Sequence, residues 1–102
     1  MQKAGIRERL LEIFEERTIG LQTVILVSET IIAHAKFNIW FGDNAKGRLN
    51  EEQLLDLLDK ADVFESCCIK GIDNFKKTHE LSKLHDALSD FKNGMQLISK
   101  FE

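Results

Sequence analysis

The stretch KKTHELSKLHDALSDFKNGMQLISK, residues 76–100, decides the fold. Its Leu81, Leu84, Leu88, Phe91, Met95 and Ile98 are spaced 3-4-3-4-3, with charged and polar residues between them. A helix makes a turn in about 3.6 residues, so this spacing draws one apolar seam along a single face. Such a seam is buried only by further helices lying nearly alongside, side chains interlocking as knobs in holes.

The rest of the chain supplies those helices. Residues 50–71 carry the stripe Leu54, Leu57, Leu58, Ala61, Phe64, Cys68, continued by Ile72, with Glu65 as a polar intrusion. Asn50 opens that helix, and Gln53 stands where a capping box wants it, with Glu51 and Glu52 in the first turn facing the positive end of the dipole. Gly71 and the Asp73-Asn74 pair are expected to end it. Residues 3–17 place Ile6, Leu10, Ile13 and Phe14 on one face, and Thr18 to Gly20 make a break. Residues 21–40 form the most apolar segment, for which Leu21, Val24, Ile25, Ser28, Ile31, Ile32, Ala35 and Ile39 are taken as the inward arc. The loop GDNAKGRLN follows. The expectation is an all-α, antiparallel four-helix bundle with helices at about 3–17, 21–40, 50–71 and 76–100, one domain over residues 1–102.

Bulk properties agree. The chain has 102 residues, 43% hydrophobic and 30% charged, the balance of a folded globular domain. It contains no proline, so nothing interrupts a helix. The net charge of −3 is unevenly placed: residues 50–66 hold six acids (Glu51, Glu52, Asp56, Asp59, Asp62, Glu65) against Lys60. No basic patch for phosphates appears, so nucleic acid is not an expected partner; the acidic helix 50–66 reads as a solvated face, with a basic partner as the alternative. Glu29 and Lys36 interrupt the apolar segment, at about 2.5–3.5 kcal/mol each near a bilayer centre, so no membrane span is expected. Cys67 and Cys68 are adjacent and point about 100° apart on a helix, the wrong geometry for an ordinary disulfide. They read as reduced thiols of a cytoplasmic protein.

Candidate chemistry is sparse. GDNAKG has a phosphate-loop outline without its Lys-Ser/Thr pair and without a preceding strand. Read as a calcium loop, the same stretch lacks the charged ligands. In HELSKLH the two histidines, His79 and His85, are roughly 240° apart around a helix and read as surface residues. No metal or cofactor is called for.

His34 stands in AHAKFNIWFGDNAKGRLNEEQLLDLLDKAD, an Ala-His pair followed by Phe-Gly and a Leu- and acid-rich amphipathic helix. That run resembles the histidine phosphotransfer domains, four-helix modules that accept a phosphoryl group on an exposed imidazole. The resemblance covers about a third of the chain and implies His34 as phospho-acceptor. It departs at Phe37 and Asn38, where that family has Lys and Gly. Trp40 and Gly42 are similar to the Trp-x-Gly of the WXG100 secretion proteins, helical hairpins of about this length. The loop to Asn50 is wider than theirs, and their C-terminal Tyr signal is absent. The plain structural alternative is that Trp40 and Phe41 close the core and Gly42 ends the helix.

The functional expectation comes from the second helix, apolar nearly all round and so buried on two sides. Its back face, with Leu26, Phe37, Trp40 and Phe41, is expected to be an interface, making the protein a non-enzymatic protein–protein interaction or regulatory module that self-associates. On that expectation Phe37→Glu leaves the fold intact and abolishes association.

Overall fold

The computed structural model describes residues 5–16 and 19–99. Among them lie four helices: α1 (Ile6–Ile13), α2 (Leu21–Ala45), α3 (Glu51–Thr78) and α4 (Leu81–Ser99). The chain is an all-α four-helix bundle. Its seam residues Leu84, Leu88, Phe91 and Met95 are buried and lie in one core with Val27, Phe37, Cys68, Ile72 and Phe75. α4 packs along both α3 and α2, while the short α1 bridges α2 and α3. The molecule measures 45 × 32 × 20 Å. Its length is that of α3, whose 28 residues rise about 1.5 Å each, and its thickness is about two helix diameters.

Local chemistry explains the elements. The capping box at the start of α3 is formed: the Gln53 N–H donates to Asn50 Oδ1 at 2.8 Å, and the Asn50 N–H to Gln53 Oε1 at 3.0 Å. Gly47 turns the α2–α3 connection at φ 125°, a conformation costly for any side chain. α1 is tied to α3 by the ion pairs Arg9–Asp73 and Glu12–Lys76. The Lys76 hydrogen bond and charge hold the Glu12 carboxyl below its ordinary value.

Four helix limits differ from expectation, one of them the start of α4, which lies at Leu81 and not at 76 because α3 runs on past that point. α1 ends at Ile13, after which Phe14, Glu15 and Glu16 close i→i+3 bonds that tighten the last turn. α2 continues through Gly42 to Ala45, and α3 continues through Gly71 to Thr78. Gly71 is not a stop signal but a point of close approach, since a Cβ there would collide with that of Ala87 on α4. Gly94 acts likewise, because a Cβ on it would fall 2.6 Å from the Phe64 ring. α3 is closed by His79, which follows its last residue and takes the left-handed conformation (φ 59°) usually given to glycine. Its N–H bonds the Phe75 carbonyl at 2.7 Å and its ring meets Phe75 edge-on at 5.8 Å. The expected limits at residues 3, 17 and 100, and the break at Thr18, lie outside the described residues.

Candidate interaction surface

α2 sits in the bundle with the opposite face inward from the one the sequence suggests. Thr23, Val27, Thr30, Ala33 and Phe37 are buried. Phe37, 4% exposed, touches Trp40 and Phe41 at ring separations of 6.2 and 5.9 Å, and Leu26, Trp40 and Phe41 are half-buried against the core. Of the expected interface, Phe37 is therefore buried by the chain itself, and Leu26, Trp40 and Phe41 are partly covered by it. Two threonines make the reversal possible. Thr30 donates to the Leu26 carbonyl at 2.7 Å, and Thr23 shares a 2.7 Å hydrogen bond with His85, so neither hydroxyl is buried unsatisfied.

The apolar residues expected inside face outward. Leu21 is 74% exposed, Ile25 49%, Ile32 53% and Ile39 65%. With Ser28, Ala35 and Gly42 they follow a 4-3-4-3-4-3 spacing, a second heptad seam with no partner among the described residues. One column of that seam is Ile25, Ile32 and Ile39; the other, after Leu21, is the small series Ser28, Ala35 and Gly42. The Ser28 hydroxyl donates to the Val24 carbonyl at 2.9 Å, which leaves the strip chemically apolar. A Cβ on Gly42 would meet nothing within 4 Å, so no packing among the described residues requires a glycine there. Glu29 and Lys36 flank the seam, and Glu29 accepts from Lys92 at 3.2 Å. By length and composition α2 is also apolar enough to cross a bilayer.

A second apolar feature lies where α1 does not reach. Between the C-terminal half of α2, the N-terminal half of α3 and the end of α4 is an open groove of about 700 Å³. It is lined by Trp40, Leu49, Leu57, Phe64, Leu97 and Ile98, with Gln53, Asp56 and Lys60 at its rim. The acidic side chains Glu51, Glu52, Asp56, Asp59 and Asp62 of α3 are exposed, and Lys60 pairs with Asp56 at 3.0 Å.

No family model, curated protein or solved structure matches this chain. Its surfaces must be read from their own chemistry.

His34 lies half-buried under α1, its ring tilted 5.6 Å from Phe91 and opening on a cleft that Arg7, Leu10 and Asn38 also line. Desolvation lowers its pKa, against the opposing charges of Glu65 and Glu8. Trp40, Phe41 and Gly42 lie within α2, not at its end. Cys67 is exposed and Cys68 buried, both as free thiols, and burial pushes the Cys68 thiol up to about 12. His79 is exposed; His85, expected at the surface, is half-buried and ties α4 to α2 through Thr23. Among the described residues no group of His, Cys, Asp or Glu converges as a metal site would require.

Proposed function

We propose that this protein is an interaction module that works by docking and that it self-associates through the outer face of α2. The observation that carries the reading is the exposed seam of Leu21, Ile25, Ile32 and Ile39. Isolated exposed aliphatics are ordinary, but a continuous seam on a long helix, diametrically opposite that helix's core face, has the pattern of an interface. The sequence expectation places the interface on the opposite face of the same helix. Sedimentation of the wild-type chain over a dilution series tests it. Mass action predicts an oligomer that dissociates on dilution, and a chain that sediments as a monomer of 11.7 kDa throughout overturns the reading.

A second surface favours a heterologous partner. The groove beside Trp40, Leu57 and Phe64 is open and apolar, and α3, which forms one wall, also exposes Glu51, Glu52, Asp59 and Asp62. An amphipathic helix with a basic flank is the ligand such a groove would take. A Leu/Lys amphipathic peptide should shift the amide resonances of Leu57 and Phe64 where its Leu/Glu counterpart does not; equal shifts from both, or none, would remove the idea.

Phosphotransfer through His34 draws less support from the geometry. The ring is packed against Phe91, and the Glu8 and Glu65 charges that act on it would repel a phosphoryl group. Incubation with acetyl phosphate should leave the intact mass unchanged; an acid-labile adduct on His34 would restore that reading.

A further inference from the structure

We infer that the partner of α2 is α2 of a second copy, antiparallel, with Ile32 packed on Ala35 of the partner subunit. This rests on the self-association proposed above and adds its geometry. The two columns of the outer seam, Ile25-Ile32-Ile39 and Ser28-Ala35-Gly42, are complementary to each other and not to themselves. A parallel, in-register pair would stack isoleucine on isoleucine and small on small, leaving alternate layers crowded and empty. An antiparallel pair about a two-fold axis between Ala33 and His34 gives layers of one kind from Ile25 to Gly42, with Leu21 beyond them at the end of the pair. Ile25 meets Gly42 of the partner subunit, Ile32 meets Ala35 of the partner subunit, and Ser28 meets Ile39 of the partner subunit, each occurring twice by symmetry. Large facing small in every layer lets two helices approach closely with neither voids nor overlap.

Charge selects this register from its neighbours. Gln22, Glu29, Lys36 and Asp43 run along one edge of the seam, and in an antiparallel pair that edge faces its own copy. In the proposed register Glu29 comes opposite Lys36 of the partner subunit, twice. A slip of one heptad in one direction sets Glu29 against its own equivalent. The slip in the other direction does the same to Lys36 and loses layers at the ends. The two-fold arrangement is isologous, so it closes as a dimer and leaves no further copy of the seam exposed.

Cysteine trapping tests the geometry in the full chain. Cys67→Ser removes the exposed thiol, while buried Cys68, its thiol held protonated, can stay. Ile32→Cys and Ala35→Cys are then made in separate chains and oxidised alone and mixed. The mixture should cross-link several-fold faster than either alone. Ile32→Cys cross-linking fastest with itself would mean parallel pairing and overturn the register while leaving self-association standing. A companion variant, Ala35→Leu, changes an exposed residue and should keep the helical spectrum. It should abolish the dimer, and Ile32→Ala combined with Ala35→Ile should recover it. A dimer strengthened by Ala35→Leu contradicts the inference, as does a wild-type monomer that instead floats with phosphatidylcholine/phosphatidylglycerol vesicles; that last outcome removes the self-association reading as well.

Discussion

Replacing Ile32 by Glu separates the outer face of α2 from its inner one. Ile32 is 53% exposed in the single chain, so roughly half of its side chain is left for a partner to cover. Full burial of an isoleucine is worth about 1.5–3 kcal/mol, and covering the remaining half therefore contributes about 1–1.5 kcal/mol in each subunit. The substitution removes that twice and places two carboxylates in an apolar seam, at about 1–3 kcal/mol for each left without a partner. The combined loss is about 4–9 kcal/mol, a weakening of the dimer by roughly a thousandfold or more. The single chain should barely notice, because exposed substitutions away from special features stay within about 0.5 kcal/mol. Phe37→Glu is the opposite case. With Phe37 at 4% exposure, it buries a charge in the core and should unfold a domain whose whole stability is about 5–15 kcal/mol. The sequence expectation that Phe37→Glu gives a folded monomer is thus reversed by the packing. Light scattering and circular dichroism read both variants: Ile32→Glu should be folded and monomeric, Phe37→Glu unfolded. A folded Ile32→Glu chain that keeps the wild-type mass, or a folded Phe37→Glu chain, would refute the assignment of faces.

Three further outcomes test the bundle. Gly94→Ala pushes a methyl into the Phe64 ring and should cost about 1–3 kcal/mol by overpacking, read by chemical denaturation; no loss would mean that α3 and α4 are not in close approach there. Asn50→Ala removes the side-chain acceptor for the Gln53 N–H and should cost about 1 kcal/mol, again by denaturation. Acidification should destabilise the fold. His34 has a folded pKa below its ordinary value, so the unfolded chain binds the proton more readily, and stability falls as pH drops below about 6.5 until the folded pKa is passed. Glu12 adds to the loss at lower pH, as its carboxylate is protonated and its pair with Lys76 is lost. His34→Gln should flatten the His34 part of a urea-midpoint profile, and an unchanged profile would show that another group carries it.

The sequence was legible wherever polarity itself chose the face. α4 alternates apolar and polar residues so regularly that its seam is buried as read, and the capping box at Asn50 formed because both partners are local. α2 offered no such contrast. With apolar residues on every side, counting hydrophobic positions treats Thr23 and Thr30 as outward and the isoleucines as inward. The packing prefers the reverse, because the Leu26 carbonyl and the His85 ring partner the threonines and the Phe37, Trp40 and Phe41 rings fill more space. The available signal was the 4-3-4-3-4-3 spacing of the outer seam, with its small residues at every seventh position. Gly71 misled for a related reason: it answers to Ala87 on another helix, and no local pattern distinguishes a glycine that stops a helix from one that lets a neighbour close in. His79 carries no sequence mark of its left-handed backbone.

The most direct measurement is the solvent accessibility of the α2 methyl groups in the intact protein. With a soluble paramagnetic agent, the methyls of Ile25, Ile32 and Ile39 should be protected from broadening at high protein concentration and lose that protection on dilution. Leu55 and Val63, exposed on α3, should broaden throughout. Isoleucine methyls that broaden like Val63 at every concentration would show the outer face of α2 bare, and the docking account would be wrong.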